Sequence, residues 1–407
     1  MRRIDVHRQA VLDLAQPLPE TQVSIGSADT HVLAHDVLAP SDLPRWDNSA
    51  MDGYAVRSAD VAGASSQTPV TLRVLVDLPA GSDAHPTLLP GMVARIMTGA
   101  VVPAGADAVV PVEQTDGGRD VVQITRAPEP GAYVRRAGGD ARQGDVILVA
   151  GTVLGPAQVA AAASAGCGTL LVHRRPRVAV LSTGSELVPP GQELNLGQIP
   201  DSNSYLLAAS VRAAGCEVVR LDVVSDDARS LRAVLTELDG TVDAIVTSGG
   251  VSKGAYDVVK EVLLHEPRME FVEVAMQPGK PQGLGRLARG TPVFALPGNP
   301  VSVFVSFEVF VRPALLRMRG MVDLDRPELN AVVVDGWRNR TGRTQYMPVR
   351  FDDKGTGSDY RVRRAGPGGS ESHLVAALAR VQGLAVVPQD TVEVRPGDRL
   401  RVMEVDR

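Results

Sequence analysis

The sequence predicts a multidomain protein of α/β plus β class, built around a central doubly wound parallel α/β domain. Strand-like and helix-like segments alternate from Arg177 to about Met321, which is typical of a parallel sheet with helices on both faces. Shorter strand-like runs, separated by glycine, proline and aspartate, come before and after this section. A chain of 407 residues has room for roughly two to four domains.

The composition is that of an ordinary globular protein, with 44% apolar residues, 22% charged residues and a net charge of −5. This balance gives no general attraction to nucleic acid or to an anionic membrane. The two cysteines, Cys167 and Cys216, lie far apart in apolar surroundings, so we expect buried, inert thiols. The first residues lack the apolar core of a signal peptide, and we expect a cytoplasmic protein.

The N-terminal part of the chain predicts two kinds of structure. Residues 1–45 predict two short helices, over 6–15 and around 25–34, punctuated by prolines. Residues 46–140 change to short strands, clearest over 70–76 and 121–125, which predicts a β-rich module. Because residues 141–175 return to mixed helix and strand, we expect the module to be inserted into a mixed domain made of 1–45 and 141–175.

One uncharged segment, residues 146–172, is longer than a membrane span. It contains several glycines, Pro156 and Gln158, and it divides into strand, turn, alanine-rich helix and strand. We therefore expect a buried or interface element rather than a membrane span.

The remaining sequence predicts the central domain, over residues 176–322, and a C-terminal domain, over 326–407. The predicted central elements alternate in order: strand 178–181, helix 204–214, strand 217–224, helix 228–238, and strands 243–247, 271–276 and 292–296. The last section has short strands at 329–334, 384–387 and 399–402, which predict a small β-barrel or sandwich.

Three glycine-bearing turns follow apolar runs in the central domain, at residues 248–252, 278–281 and 296–302. Turns at the ends of parallel strands line the ligand crevice of an open α/β sheet. Glycine there lets backbone N–H groups approach an anion. The sequence therefore predicts an anion or nucleotide pocket, with Lys280 and Asp257 within reach.

Three acidic residues follow predicted strands on the same side of the sheet: Glu186, Asp226 and Asp257. Carboxylates beside a phosphate pocket suggest Mg²⁺, which needs few protein oxygens. The alternative for Asp226 is an ordinary helix N-cap, and for Asp257 a helix start is as good an explanation. Glu186 has no obvious capping role, which favours a function.

Lys280 lies between two prolines that fix an irregular backbone, so anion binding is favoured over a solvated loop lysine. Ser252 and Ser302 offer hydroxyl donors, and each fits a plain turn or cap equally well. The sequence has no nucleophile elbow, no zinc-type spacing of histidines and no Walker loop.

The β-rich module carries polar turns at residues 47–56, 98–100 and 135–140. The pair Asp52-Gly53 fits a simple tight turn, but the polar run 47–49 beside it is denser than a turn requires. Each of these signals is weak by itself.

Together, six segments in order resemble the molybdopterin molybdenumtransferases, the family of MoeA and of the corresponding domain of gephyrin. The resemblance spans nearly the whole chain. It rests on residues 47–56, 97–100, 181–187, 248–252, 278–281 and 296–302. It implies the last step of molybdenum cofactor assembly, in which adenylylated molybdopterin and molybdate react and molybdenum cofactor and AMP leave.

The resemblance also implies roles for individual residues. Mg²⁺ and the phosphoanhydride would be served by Glu186, Asp226 and Asp257. Molybdate would be held by Lys280, Ser252, Ser302 and, in the last domain, Ser372. Further substrate contacts would come from the turns, at Thr183, Gly184, Ser248, Gly249, Gly250, Pro281, Pro297 and Asn299.

Four residues of the β-rich module would complete the site: Asp52, as a catalytic group, with Thr98, Arg136 and Asp140. In this family such residues reach the crevice from the other subunit of an elongated homodimer. A transient contact with the adenylyltransferase that supplies the substrate is left open.

Two positions depart from the family pattern. Gln277 stands where the family often carries a lysine, and Pro348 stands where it often carries an arginine. Both changes remove positive charge near molybdate, and Arg350 is a candidate to compensate. We expect the same reaction with weaker or differently tuned oxyanion binding, and a preference for tungstate is left open.

Two other functions compete with this interpretation. A molybdopterin adenylyltransferase uses the same α/β domain, but its usual turn, Thr-Thr-Gly-Gly-Thr-Gly, differs from residues 247–252. The second alternative is a non-catalytic molybdopterin-binding scaffold or carrier. The presence of Glu186, Asp226, Asp257 and Lys280 argues against it, because a scaffold does not need that set.

Overall fold

A computed structural model of the chain describes residues 1–225, 227–251, 258–339, 342–353, 360–366 and 375–405. Four residues assigned to the site from the sequence lie outside these ranges: Asp226, Ser252, Asp257 and Ser372.

The first 175 residues form short strands with two helices. In chain order the elements are α1 (Ile4–Asp13), β1 (Glu20–Ser24), β2 (Val32–Leu33), β3 (Val37–Leu38), β4 (Asn48–Ser49), β5 (Gly53–Val56), β6 (Val70–Leu78), β7 (Met92–Ile96), β8 (Ala108–Pro111), β9 (Val121–Ile124), β10 (Val134–Arg135), β11 (Val146–Leu148), α2 (Pro156–Ser164) and β12 (Thr169–His173).

The helix expected around residues 25–34 is wrong. A 3₁₀ turn covers Ile25–Ser27, and the chain then enters β2 and β3. Thr30 has a left-handed φ of 62°, which a helix does not tolerate, and Val32 and Leu33 are buried beside β12. The division of residues 146–172 into strand, helix and strand is confirmed by β11, α2 and β12, although Val146, Val149 and Leu171 are exposed.

The β-rich stretch folds as a five-stranded sheet in the order β8-β5-β7-β6-β9. Its core contains fully buried Tyr54, Val93 and Val110. Segments on either side of this stretch meet in another sheet, in which β12 lies between β1 and β2. The chain thus leaves one small sheet, builds the five-stranded sheet and returns.

The central elements follow: β13 (Arg177–Thr183), β14 (Leu187–Val188), β15 (Ile199–Pro200), α3 (Asn203–Ala213), β16 (Glu217–Val224), α4 (Ala228–Leu238), β17 (Ala244–Ser248), α5 (Val258–Leu263), β18 (Glu270–Glu273), β19 (Met276–Gln277), β20 (Pro281–Arg286), β21 (Pro292–Leu296), α6 (Pro300–Ser306) and α7 (Arg312–Met318). A π-helical turn, Phe307–Val311, joins α6 to α7.

These elements form the doubly wound domain that the sequence predicts. The six-stranded sheet has the order β16-β13-β17-β21-β20-β18, and its first four strands are parallel. Alternate residues of β13 point to opposite faces: Val180 packs in the core with α3, and Leu181 packs in the core with α4 and α5. Helices therefore cover both faces of the sheet.

The sheet is mixed rather than purely parallel, because β20 pairs antiparallel with both β18 and β21. The strand expected over 271–276 divides into β18 and β19, and β19 leaves the sheet. The division is held by a backbone bond in which the Val274 N–H donates to the Lys280 carbonyl at 2.8 Å. The turn at 278–281 therefore follows a strand that pairs with β24 of the barrel, whereas the other two glycine turns follow parallel strands of the central sheet.

The C-terminal elements are β22 (Glu328–Val333), β23 (Trp337–Arg338), β24 (Thr344–Asp353), β25 (Tyr360–Arg364), α8 (Val375–Leu378), β26 (Gly383–Val387), β27 (Glu393–Val394) and β28 (Arg399–Glu404). Strands β24, β25, β22, β28 and β26 pair in that order, and β26 pairs back to β24. The closed five-stranded barrel confirms the predicted C-terminal fold. Its core includes buried Val333, Val349 and Val402.

Two further expectations concern the chain as a whole. Both cysteines are free, but only Cys216 is buried as expected, and Cys167 is half-buried. Burial raises the pKa of Cys216 to about 12, as expected for an inert thiol. Within the described parts of the chain, no helix has the length and apolar character needed to cross a bilayer.

Candidate functional site

A crevice of about 890 Å³ opens at the carboxyl ends of β13 and β17. From β13 the chain crosses to β16 on one side and then to β17 on the other, so the strand order reverses between β13 and β17. Ligands of open α/β sheets bind at this switch point. Ten of the residues assigned from the sequence line the crevice: Thr183, Gly184, Glu186, Ser248, Gly249, Gly250, Pro281, Pro297, Asn299 and Ser302.

Glycine is required where the strand-end turns approach one another. Gly249 and Gly250 have φ values of 95° and 64°, which side chains rarely adopt. A Cβ on Gly249 would lie 2.7 Å from the carbonyl oxygen of Thr183. A Cβ on Gly298 would lie 3.3 Å from the Cα of Gly249. The turns that follow β13, β17 and β21 therefore pack backbone against backbone at the base of the crevice.

The Ser248 hydroxyl belongs to a chain of hydrogen bonds that the sequence does not predict. Its hydroxyl lies 2.8 Å from that of Ser182, and the Ser204 hydroxyl donates to Ser182 at 2.7 Å. All three side chains are buried. The chain of hydroxyls ties β17, β13 and α3 together beneath the crevice.

Three buried polar atoms of the crevice residues make no hydrogen bond within the described residues: Oγ1 of Thr183, Oδ2 of Asp201 and Oδ1 of Asn203. Sequence reasoning missed Asp201 and Asn203. The available signal was the run Pro-Asp-Ser-Asn at 200–203, which places polar side chains at the start of α3 after a predicted turn.

Lys280 lies beside the crevice rather than in its lining. Its Nζ is 3.1 Å from a carboxylate oxygen of Glu273. Both residues line a second cavity of about 270 Å³, together with Lys260. Pro281 lines this second cavity and the crevice alike, so the two spaces adjoin.

Glu186 is exposed in the crevice lining, and it is the one predicted magnesium ligand that the structure describes. No group of three His, Cys, Asp or Glu side chains within the described residues is arranged to hold a metal. The N-cap considered for Asp226 belongs to its neighbour: the Asp227 side chain accepts from the Ser230 N–H at 2.8 Å. Hydrogen bonds from the side chains of Ser230 and Ser225, together with this one, lower the pKa of Asp227 to about 2.

The crevice lining has an acidic character. Glu186 and Asp201 are its charged members, and no Lys, Arg or His belongs to the part of the lining that the structure describes. The barrel also contributes, since Val375 of α8 lines the crevice. Ser302, from the first turn of α6, is buried at the opposite wall.

The four site residues predicted in the β-rich stretch lie outside the described lining of this crevice. Asp52 accepts from the backbone N–H and the hydroxyl of Thr98, at 2.7 and 2.8 Å, which lowers the pKa of Asp52. Arg136 pairs with Asp47 at 2.6 Å. None of Asp52, Thr98, Arg136 and Asp140 belongs to the described lining of the crevice in their own chain.

The two departures from the family pattern lie on the barrel strands or next to them. Gln277 pairs in register with Gln345 on β24, and Pro348 lies opposite Leu384. Arg350 lies opposite Arg363 on β25 and is not part of the described lining of either cavity. The structure therefore gives no support to compensation by Arg350.

Family models match almost the whole chain. The MoeA N-terminal region (domain I and II) matches residues 2–166, and the probable molybdopterin binding domain matches residues 179–317. The MoeA C-terminal region (domain IV) matches residues 330–405.

Curated proteins and a solved structure also resemble the chain over nearly its full length. Molybdopterin molybdenumtransferase 2 of Mycobacterium tuberculosis is 45% identical over 100% of both chains. Molybdopterin molybdenumtransferase 1 of the same organism is 38% identical over 98% of this chain and 97% of its own. The solved structure of the molybdopterin biosynthesis MoeA protein from Pyrococcus horikosii is 30% identical and superposes with a TM-score of 0.84, covering 99% of this chain and 98% of that one. By sequence and by fold, the chain belongs to the molybdopterin molybdenumtransferase family.

Proposed function

We propose that this protein inserts molybdenum into adenylylated molybdopterin, using molybdate and Mg²⁺, and releases molybdenum cofactor and AMP. The observation that carries the proposal is the crevice at the β13–β17 switch point. Its walls are formed by three of the motifs that resemble the family, at residues 181–187, 248–252 and 296–302. Backbone N–H groups of glycine turns at such a point suit phosphate groups.

The acidic lining supports a role for Mg²⁺. A phosphoanhydride brings negative charge into a crevice whose described charged residues are Glu186 and Asp201. A divalent cation held through Glu186 removes that conflict, because Mg²⁺ binds with few protein carboxylates and takes phosphate oxygens as further ligands. When bound, it neutralises charge on the phosphoanhydride as the bond to AMP breaks.

The second cavity supports a place for molybdate. It contains Lys260 and Lys280 and adjoins the crevice at Pro281. Two lysine ammonium groups lining a small cavity attract a tetrahedral oxyanion. In this proposal molybdate displaces Glu273 from Lys280, and it then lies next to the sulfur-bearing end of the bound substrate.

A homodimer would supply the remaining residues. Asp52, Thr98, Arg136 and Asp140 are exposed on the β-rich stretch and away from their own crevice. A two-fold arrangement brings such a surface to the crevice of a second copy. The cytoplasmic location and the contact with an adenylyltransferase stay predictions.

The decisive experiment supplies purified protein with adenylylated molybdopterin, Mg²⁺ and micromolar molybdate. We expect AMP release that depends on molybdate, together with cofactor that activates a molybdenum-free apoenzyme. Glu186→Gln is expected to raise the Mg²⁺ concentration needed for half-maximal rate, because the amide is a weaker magnesium ligand.

The competing functions give different results in the same assay. A carrier binds the substrate tightly and releases no AMP. An adenylyltransferase consumes ATP and molybdopterin and produces the adenylylated compound. Product formation with tungstate but not with molybdate would leave the reaction class intact and change its metal.

A further inference from the structure

Two side-chain oxygens of residues that line the crevice, one carboxylate and one amide, have no hydrogen-bond partner within the described part of the chain. They are Oδ2 of Asp201 and Oδ1 of Asn203. Asp201 is 1% exposed and Asn203 is 9% exposed. Burying a polar group without a hydrogen bond costs free energy, and the cost is larger for a charged group. Such atoms call for an explanation, and a bound molecule that supplies the donor is one.

The rest of each side chain is already fixed by the protein. Oδ1 of Asp201 accepts from the Ser204 N–H at 3.1 Å, at the start of α3. Nδ2 of Asn203 donates to the carbonyl of Gly298 at 2.6 Å, which assigns its other atom as the acceptor. Neither side chain can turn to satisfy its free oxygen without breaking a bond that shapes the crevice.

Two free acceptors among the lining residues of one crevice suit a ligand with two neighbouring N–H donors. The 2-aminopyrimidinone edge of a pterin has an exocyclic amine beside a ring N–H. The corresponding edge of adenine has an amine beside a ring acceptor, which a second oxygen would repel. A hydrogen bond to the charged Asp201 carboxylate is stronger than one to a neutral acceptor.

We infer that Asp201, with Asn203, binds the amino-substituted pyrimidinone edge of the pterin and so orients the substrate in the crevice. This inference rests on the function proposed above. It assigns a role in selecting the heterocycle to two residues that take no part in the proposed handling of phosphate or molybdate.

The test uses Asp201→Asn in the full chain. Asparagine keeps an oxygen to accept from the Ser204 N–H, and it puts an NH₂ group where the free acceptor was. The probes are 6-hydroxymethylpterin phosphate and the matching lumazine, which has oxygen in place of the 2-amino group. Pterin and lumazine fluorescence report binding directly.

We expect the wild type to bind the pterin at least about tenfold more tightly than the lumazine, because a site built for a donor rejects a ligand that lacks it. Asp201→Asn should weaken pterin binding by about 10- to 100-fold and leave lumazine binding unchanged or tighter. Equal binding of both probes by the wild type, or unchanged pterin binding by the variant, would overturn the inference.

Two further measurements remove the alternatives. Asp201→Ser keeps a capping oxygen and removes the free acceptor, so it should show the same loss of pterin binding. A loss in the asparagine variant alone would show that the added NH₂ group, and not the missing acceptor, is responsible, which contradicts the inference. AMP with Mg²⁺ should bind all three proteins equally, and a loss of AMP binding alone would assign the carboxylate to adenine instead.

The two proposals fail separately. Wild-type protein that makes cofactor but does not distinguish pterin from lumazine would leave the proposed function standing and remove the role of Asp201. Wild-type protein that prefers the pterin but makes no cofactor would do the reverse.

Discussion

At the scale of single residues, the crevice depends on a glycine without a side chain and on a buried carboxylate with an unsatisfied oxygen. Gly249 has no Cβ, and its backbone therefore passes close to Thr183 in a left-handed conformation. Asp201 has one oxygen without a partner among the described residues, although it is almost completely buried. Both features are invisible in a sequence read one residue at a time, because each depends on atoms brought from a distant turn.

Gly249→Ala should damage the crevice more than an ordinary glycine substitution. It adds left-handed strain of about 1 kcal/mol and a contact of 2.7 Å with a backbone oxygen, which must move. We expect a lower thermal midpoint and weaker substrate binding. Gly191→Ala is the matched control, because Gly191 also has a positive φ of 91° but has open space around it. Equal losses in both variants would show that the close approach does not matter.

His7 should make stability depend on pH. Burial is the main cause that lowers its pKa from 6.5 to about 4, and nearby Arg2 acts in the same direction while Glu270 opposes it. The unfolded chain therefore takes up a proton that the folded chain refuses, and stability falls as the pH drops from about 6.5 to 4. A shift of this size corresponds to about 3 kcal/mol. Urea titrations of His7→Leu over this range should show a flatter pH dependence than the wild type.

At the scale of elements, periodicity predicts most of the central domain. Strand β16 and helix α4 occupy the predicted residues, because α4 places Leu231, Leu235 and Leu238 on one buried face. The sequence does not predict that β18 and β19 belong to different sheets. Residues 271–276 are apolar except for Glu273 and fit a single strand, and the partner that separates β18 from β19, β24, lies far along the chain.

The candidate site is predictable to a similar extent. Glycine turns after parallel strands identify the crevice, because the rule depends on local sequence and strand direction alone. Asp201 and Asn203 escape prediction because their importance lies in unsatisfied atoms. The position of Lys280 beside the crevice escapes prediction because it depends on the antiparallel strand β20, whose direction the local pattern does not specify.

The N-cap of α4 should titrate in acid. Hydrogen bonds from Ser230 and Ser225 hold the pKa of Asp227 at about 2, below its ordinary value of 3.8. The cap therefore contributes its full stability above about 3.8, and this contribution is lost as the pH falls towards 2. Asp227→Asn keeps a capping oxygen without a titrating group, so its stability should vary less over this window. Identical acid unfolding profiles would contradict this assignment.

At the scale of the whole molecule, a buried ion pair holds the barrel to the central domain. Glu308, in the π-helical turn, is 5% exposed and lies 3.0 Å from Arg326, which precedes β22. Arg312 approaches the same carboxylate at 4.0 Å. Glu308→Ala removes the carboxylate that these two largely buried guanidinium groups share.

Glu308→Ala should cost about 3–5 kcal/mol, the usual loss when one partner of a buried pair is removed. Chemical denaturation followed by tryptophan fluorescence measures it, since Trp337 belongs to the barrel core. Asp5→Ala is the control: its partner Arg3 is exposed, and no change in midpoint is expected. A small loss at Glu308 would mean that water reaches the pair.

The proposed dimer can be tested by mixing two variants at an Mg²⁺ concentration too low for either variant to be active alone. If each site combines Asp52 of one subunit with Glu186 of the other, a mixed dimer of Asp52→Asn and Glu186→Gln has one intact site. Random exchange then restores about a quarter of wild-type cofactor formation, since half of the dimers are mixed and each has one of two sites intact. A mixture that stays inactive would place the whole site within one chain.

The ladder between β19 and β24 has a practical consequence for cutting or grafting this fold. Met276 and Gln277, just before Lys280, pair in register with Thr344 and Gln345 of the barrel. A fragment that stops before β22 would expose that backbone edge within three residues of the lysine, although it would contain every strand of the central sheet. The central domain therefore cannot be separated from the barrel without exposing β19. A shortened protein would lose, together with the barrel, the strand that supports the loop proposed to bind the oxyanion.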